Sequence, residues 1–251
     1  EDASVVSRVL RLVTAVSQSD GTRSVAELAV ETGLPKPTVH RLCQQLERGG
    51  YFLRDLSSRH YGVGPRLWEL GLNIVNSGLR PERRAILQRL SNETGETCNL
   101  SMRVRDELVY IDRVESRWPL RLHLEPGSHV PLHCTASGKL LLSAMSKARR
   151  HRLLTITGLP AHTPKTITDL DAMEREAERI RQRGYSIDDE EFLEGLVALA
   201  VPVHNRNNHI VAGIAVHGPK PRLSVDRALS HLPSLKKAAL DLEEMLDDGP
   251  S

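Results

Sequence analysis

The chain has 251 residues, of which 39% are hydrophobic and 26% are charged, a composition typical of a soluble globular protein with one large domain or two modest ones. Its formal net charge is only +2, so the whole molecule is not a general polyanion binder and any nucleic-acid surface must be local. No apolar run approaches the roughly 20 residues that span a bilayer, and the N-terminus carries no secretory signal. Three separated cysteines, Cys43, Cys98 and Cys134, favour reduced thiols in a cytoplasmic protein.

Three helices are predicted in the first fifty residues. Residues 4–18 have the apolar period of an amphipathic helix. The segment Ser24-Val25-Ala26-Glu27 has the spacing of a capping box, which predicts a second, short helix that ends at Gly33. A proline-containing turn over residues 34–37 then leads into a third helix, from about Pro37 to Arg48.

The third predicted helix has two distinct faces. One face is apolar, with the i, i+3, i+4, i+7 spacing of Val39, Leu42, Cys43 and Leu46. The other face combines two arginines, an amide and a hydroxyl without an acid, whereas a solvated face normally mixes both charge signs. Because these groups hydrogen-bond phosphates and base edges, we favour DNA contact over a merely solvated surface. The candidate residues on and beside this face are Lys36, Thr38, His40, Arg41, Gln45 and Arg48.

A short hairpin is predicted next, from two strand-like segments at residues 51–54 and 59–63. Arg54 and Arg59 lie near its tip, with His60 beside them. Basic hairpin tips are common on protein surfaces, so contact with the DNA backbone competes here with simple solvation. Three helices followed by a hairpin make a winged helix-turn-helix, and we assign residues 1–64 to a DNA-binding domain.

The remainder of the chain is predicted to form a linker helix, residues 65–79, and one α+β domain, residues 80–251, with an antiparallel sheet. The apolar period changes from 3.6 to 2 near Cys98, which marks the first strand of that sheet. Helices are predicted at about residues 66–77, 81–93, 136–144, 147–154, 169–183 and 225–246, and strands at about 98–104, 108–114, 120–124, 185–187, 196–204 and 209–216.

Taken together, these segments make the whole chain resemble the IclR family of bacterial transcription regulators. The N-terminal resemblance follows the order of helix, capped helix, proline turn, third helix and wing. The central resemblance is the segment from Leu132 to Leu142, and the C-terminal one is the family signature. Every specified position of that signature is filled, by Gly184, Asp188, Glu191, Ala198, Leu199, Ala200, Val203, His204 and Asn205.

The resemblance implies a homodimer, often a dimer of dimers, with a PAS/GAF-like effector domain that binds organic acids or aromatic metabolites. It places the effector at the start of the helix after the central motif, where free N–H groups attract a carboxylate. At positions where some family members have Cys and Ser, this chain has Ala198, Ala215 and His217. A small keto acid therefore cannot be assigned as its ligand by resemblance. The pocket positions implied are Ala136, Ser137, Asp188, Leu196, Ala198, Ala215 and His217.

Simpler interpretations of these pocket residues remain open in the sequence. Ala136 and Ser137 could simply begin a core helix, Asp188 could cap a turn, and His217 could be a satisfied core histidine. We expect no catalytic residue, since Cys134 beside His133 lacks a third orienting group. The histidines show no metal-ligand spacing, so neither metal nor cofactor is expected.

The protein is expected to be a ligand-responsive regulator that binds a pseudo-palindromic operator in double-stranded DNA. The genes it controls are expected to be metabolic genes of organic-acid or aromatic catabolism. The form favoured is a repressor released by its effector. The alternatives are an activator of the same type, and a DNA-tethered metabolite-binding protein that its ligand does not regulate.

Overall fold

A computed structural model describes residues 4–17, 19, 21–55, 58–77, 80–104, 106–118 and 127–247. The chain divides into two units, residues 1–78 and 79–251. The N-terminal unit contains α1 (Val5–Ser17), α2 (Val25–Thr32), α3 (Lys36–Arg48), β1 (Phe52–Arg54), β2 (Tyr61–Val63) and α4 (Pro65–Ser77).

The N-terminal unit has the predicted helix-turn-helix order. The capping box of α2 is confirmed, because the Ser24 hydroxyl accepts from the Glu27 N–H and the Glu27 carboxylate accepts from the Ser24 N–H. Gly33 ends that helix with a φ of 67°, a left-handed conformation that glycine adopts without a steric penalty. Helix α3 begins at Lys36, one residue earlier than predicted, with Pro37 in its first turn.

The core of this unit explains why α3 shows its polar face to solvent. Val39, Leu42 and Cys43 are buried in a cluster that also contains Leu12 of α1 and Phe52 of β1. A helix that buries one stripe in this way must expose the opposite one. Burial of the apolar stripe therefore fixes the rotation of α3 about its own axis.

The C-terminal unit is built on a six-stranded antiparallel sheet of order β5-β4-β3-β8-β7-β6. This agrees with the predicted α+β class. Its elements are α5 (Arg80–Thr94), β3 (Thr97–Val104), β4 (Glu107–Val114), β5 (His129–Val130), α6 (Ala136–Ser143), α7 (Lys147–Thr157), α8 (Leu170–Arg183), β6 (Ser186–Asp189), β7 (Leu196–His204), β8 (Ile210–Pro219), α9 (Val225–Ser230) and α10 (Leu232–Asp247).

Helices cover both faces of this sheet. Alternate residues of β7, such as Val197 and Leu199, pack with α5 and α10. The intervening Ala198 and Ala200 pack with α6 and α8 on the opposite face. Successive side chains of a strand point to opposite faces, so small residues on the second face leave room for α6 to approach. The candidate pocket lies on that second face.

The single helix predicted over 225–246 is wrong, because α9 ends at Ser230 and α10 begins at Leu232. Pro233 is the physical reason, since proline has no N–H and its ring clashes with the carbonyl four residues earlier, whereas it fits in a first turn. The strand predicted at 120–124 lies outside the described residues.

Within the described ranges, each helix is too short or too polar to cross a bilayer.

Candidate functional site

The exposed face of α3 carries most of the predicted DNA contacts. Lys36, His40, Arg41, Gln45 and Arg48 are all exposed, and Thr38 is half-buried. Within the described part of the chain, the Arg41 guanidinium makes no hydrogen bond or ion pair with another residue. All six side chains belong to a single helix held by its buried stripe, so they form one preorganised polar surface.

The predicted wing residues lie in a different setting. The Arg54 guanidinium carbon lies 5.8 Å from the centre of the Tyr61 ring, a cation–π contact that keeps this side chain half-buried. Arg59 is exposed, and its backbone has a φ of 57° at the turn between β1 and β2. Arg59 is therefore free to reach a phosphate, whereas Arg54 must leave an aromatic ring to do so.

A cavity in the C-terminal unit brings together all seven predicted effector residues. Its volume is about 20 Å³. One water molecule needs about 10–15 Å³ on the same measure, so a larger ligand requires the wall to move. The lining residues are Asn99, Leu108, Tyr110, Thr135, Ala136, Ser137, Asp188, Phe192, Leu196, Ala198, Ala215 and His217.

The sheet register explains how distant residues reach this cavity. Asp188 of β6 lies opposite Ala198 of β7, which in turn lies opposite His217 of β8. In the next row, Ala215 lies opposite Asn99 of β3. Direct cross-strand neighbours point to the same face of a sheet, so one face gathers an acid, an amide and an imidazole.

Polar atoms in the cavity wall lack partners. The Asn99 Oδ1, the Ser137 Oγ and the His217 Nε2 are buried and have no hydrogen-bond partner among the described residues. An unsatisfied buried polar group costs about 1–3 kcal/mol, and most such groups in folded proteins are paired. A polar ligand or a water molecule bound in the cavity would supply hydrogen-bond partners for these three atoms.

Asp188 both caps a turn and lines the cavity. Its Oδ1 accepts hydrogen bonds from the Glu191 N–H at 2.7 Å and the Phe192 N–H at 3.3 Å. Burial raises the pKa of this carboxyl to about 7, helped by the nearby Glu191 carboxylate and opposed by the two backbone hydrogen bonds and Lys139. The sequence left open whether Asp188 caps a turn or lines the pocket, and in the structure it does both.

His217 is neutral at physiological pH. Burial, with a smaller contribution from the Arg113 guanidinium, lowers the pKa of its imidazole to about 3. Its side chain is therefore a neutral donor or acceptor in the cavity wall, and its tautomer decides which.

The N-terminus of α6 forms another part of the wall. Thr135 is its N-cap residue, but the Thr135 hydroxyl donates to the Pro131 carbonyl instead of capping the helix. The first N–H groups of α6 thus have no side-chain cap, and Ala136 and Ser137 open onto the cavity. A Cβ on Gly138 would lie 2.3 Å from the Leu132 carbonyl oxygen, so this close approach requires glycine.

Sequence reasoning missed several lining residues, of which Asn99 and Tyr110 are the most informative. Asn99 is 2% exposed and lies between Cys98 and Leu100 in a strand with alternating polarity. The alternation placed Asn99 on the second face of the sheet. Because the alternation did not show that helices cover this face as well, it did not predict that the Asn99 amide would be buried.

A second group of side chains meets beside the cavity. One nitrogen or sulfur atom from each of His133, Cys134 and His162 lies within 4.8 Å of the others. His162 comes 28 positions after Cys134, so no short spacing motif could reveal the cluster. Burial disfavours the charged form of each group. It therefore raises the pKa of the Cys134 thiol to about 12 and lowers the pKa of the His133 imidazole.

Known proteins with similar sequences are transcription regulators. The sequence profile of the IclR helix-turn-helix domain matches residues 5–55, and that of the bacterial transcriptional regulator IclR C-terminal domain matches residues 73–244. The probable transcriptional regulator SauR of Cupriavidus necator is 44% identical over 233 residues, 92% of each chain. The transcriptional repressor IclR of Escherichia coli is 30% identical over 240 residues, 94% of this chain and 88% of that protein.

A solved structure has the same architecture. The Thermotoga maritima IclR crystal structure aligns with a TM-score of 0.64 at 28% identity, and covers 96% of this chain and 98% of its own. The matched families are regulators and not enzymes, in agreement with the sequence prediction.

Proposed function

The chain belongs to the IclR family of bacterial transcriptional regulators, with a helix-turn-helix DNA-binding domain, and we propose that it is a repressor released from its operator by a small organic acid. Repression is supported by the Escherichia coli relative, which is a transcriptional repressor. The observation that carries DNA reading is the cationic, amide-bearing face of α3, which is exposed while its opposite stripe is buried.

The proposed reading head consists of Thr38, Arg41 and Gln45, with Lys36 and Arg48 on phosphates. Helix α3 would enter the major groove, where arginine pairs with the acceptors of guanine and glutamine with adenine. The neighbouring cations would add affinity without sequence preference, and that part of the affinity would fall as salt rises.

Arg41→Ala tests this proposal. Duplexes are first selected from a random library with the wild-type chain, and dissociation constants are then measured at one fixed salt concentration. Loss of an arginine that reads a base costs about 1–3 kcal/mol, so Arg41→Ala should bind about 5–150-fold more weakly and lose preference at one base pair. Arg152→Ala is the matched control, since this exposed arginine lies on α7 of the other unit. Unchanged affinity and unchanged preference in Arg41→Ala would remove the proposed reading head.

A homodimer is proposed as the DNA-binding form. Val5, Val6 and Leu10 of α1 are all more than half exposed, and clustered apolar residues on a surface mark an interaction site. A second copy of the chain is the proposed partner. A two-fold dimer would present two α3 helices to half-sites about one helical turn apart, or a multiple of that, which gives a pseudo-palindromic operator.

The proposed effector is a small carboxylate bound in the cavity of the C-terminal unit. The uncapped first turn of α6 offers N–H groups, and the Ser137 hydroxyl offers an unpaired donor. The Asp188 carboxyl, with a pKa of about 7, is half protonated near neutral pH and in that form does not repel an anion. The carboxylate would therefore bind more tightly below pH 7 than above it.

Regulation requires the effector to discriminate between two states of the protein. A ligand shifts an equilibrium only by its difference in affinity for the two states. Since the cavity holds about 20 Å³, a carboxylic acid larger than water must bind a form with a wider cavity. We propose that this widened form holds DNA less tightly. We also propose that the protein is cytoplasmic and controls genes of organic-acid or aromatic catabolism.

A further inference from the structure

The cluster of His133, Cys134 and His162 offers two imidazole nitrogens and one thiol sulfur, which are donor types found in zinc sites. Two come from the loop before α6 and the third from the loop after α7, and the three candidate ligand atoms lie within 4.8 Å of one another. In tetrahedral zinc sites, bonds of about 2.0–2.3 Å place ligand atoms about 3.3–3.6 Å apart. The ligand atoms must therefore approach one another by at most about 1.5 Å.

His133 makes a backbone hydrogen bond of the kind that metal-binding histidines commonly make. Its Nε2 lies 2.9 Å from the Pro160 carbonyl oxygen, which can only accept, so Nε2 must carry the hydrogen. That leaves the lone pair on Nδ1. Histidines that bind metals commonly donate their other ring N–H to a backbone carbonyl, which fixes tautomer and ring orientation.

The loop that carries His162 is also held in place. The Thr166 hydroxyl accepts from the backbone N–H groups of His162 and Thr163, at 3.0 Å and 2.9 Å, and donates to the Glu191 carbonyl at 2.6 Å. The His162 ring itself is exposed and, in the described part of the chain, has no hydrogen-bond partner. It lies 5.7 Å from the His133 ring, centre to centre. Its backbone is therefore fixed, and its ring, which also lies 5.8 Å from the Phe192 ring, has no hydrogen bond to the described residues that metal binding would break.

We infer that His133, Cys134 and His162 bind a zinc ion with one coordination position open to solvent. A set of two imidazoles and one thiolate suits zinc, whereas magnesium and calcium prefer oxygen ligands. As the zinc–sulfur bond forms, the Cys134 thiol releases its proton to solvent, and water fills the fourth position. Three protein ligands plus a water is the arrangement of an open zinc site.

This site is distinct from the effector cavity but adjoins it. Thr135 and Ala136 follow Cys134 directly and line the cavity. A bound ion would tie the loop after α7 to the start of α6. The inference does not depend on DNA binding or on the identity of the effector.

The test uses the full chain after chelator treatment. Zinc chloride is titrated in competition with a chromophoric chelator, and cobalt(II) then serves as a spectroscopic probe. We expect one equivalent per chain and a near-ultraviolet thiolate-to-cobalt band. Loss of even an outer-shell partner weakens metal sites about 10–100-fold, so His162→Ala, which removes a ligand, should weaken binding at least about tenfold. His151→Ala, at an exposed histidine of α7, is the matched control and should bind as the wild type does.

Cys134→Ser should abolish the thiolate band. Because Cys134 is fully buried, that variant can fail to fold, and His162→Ala at the exposed position then decides. Absence of stoichiometric zinc binding, a cobalt spectrum without the thiolate band, or wild-type affinity in His162→Ala would each overturn the inference.

Discussion

Replacement of Asp188 by asparagine should change how stability depends on pH. The substitution keeps an oxygen that accepts from the Glu191 and Phe192 N–H groups, but it removes the ionisable group. The folded protein holds the Asp188 proton more tightly than the unfolded chain, because burial raises this pKa from 3.8 to about 7. Wild-type stability therefore falls as pH rises from about 4 to about 7, and Asp188→Asn lacks this loss.

The magnitude follows from the size of the rise in pKa. One pKa unit corresponds to about 1.4 kcal/mol, so a rise from 3.8 to about 7 corresponds to roughly 4 kcal/mol at most. The carboxyl is 2% exposed, so solvent screening reduces this little. Differences between the hydrogen bonds of the neutral amide and those of the neutral carboxyl change the stability by the same amount at every pH. They leave the pH dependence of the difference between the two proteins unchanged.

Calorimetry of the full chain at pH 5 and pH 8 measures the effect, since it resolves separate transitions of the two units. A change of 1 kcal/mol shifts the melting temperature of a unit of this size by about 2–4 °C. The melting temperature of Asp188→Asn relative to wild type should rise by several degrees between these pH values. Asp189→Asn is the control, because Lys165 and Lys220 lower the pKa of Asp189 and it is ionised at both. A difference for Asp188→Asn that stays constant from pH 5 to pH 8 would refute the reasoning.

Two further predictions concern the start of α6. Ser137→Ala should bind the best hit from a thermal-shift panel of small carboxylic acids about 2–10-fold more weakly, as loss of one hydrogen bond costs about 0.5–1.5 kcal/mol. Ser143→Ala, whose hydroxyl bonds the Leu140 carbonyl within the same helix, should bind normally; equal affinity in both variants would clear Ser137 of ligand contact. Gly138→Ala should lower the stability of the C-terminal unit by about 1–3 kcal/mol or more in calorimetry, since its Cβ would overlap the Leu132 carbonyl. Gly71→Ala in α4, where a Cβ meets nothing within 4 Å, should cost nothing, and an equally stable Gly138→Ala would contradict the packing argument.

The N-terminal unit was predictable because its signals are local. The capping box of Ser24 and Glu27 and the left-handed Gly33 act within a few residues. The apolar stripe of α3 then fixed which face is exposed. In the C-terminal unit, strand periodicity predicted the class of fold and most elements. It did not find the break between α9 and α10, where Pro233 outweighs a continuous helical period.

The cavity was only partly predictable, since it depends on sheet register. The resemblance to a family supplied seven positions that the structure places around one cavity, although their contact with an effector stays a prediction. Asn99 joins them because β3 pairs with β8, a neighbour more than a hundred residues later in the chain. The approach of His162 to Cys134 is likewise set by tertiary packing of two loops, so periodicity and motif spacing contain no trace of it.

The walls of the cavity are joined by a buried ion pair, which bears on how an effector can act. All eight residues of α6 are buried, and the Lys139 ammonium on this helix pairs with the Glu191 carboxylate in the turn that Asp188 caps. Lys139 also lies 3.8 Å from Glu176 of α8. Separating Ser137 from Asp188 therefore works against the Lys139 pairs, and breaking a buried pair costs about 3–5 kcal/mol. An effector that widens the cavity must exceed this cost through contacts it makes only in the wide form. Each further 1.4 kcal/mol of such preference shifts the equilibrium tenfold.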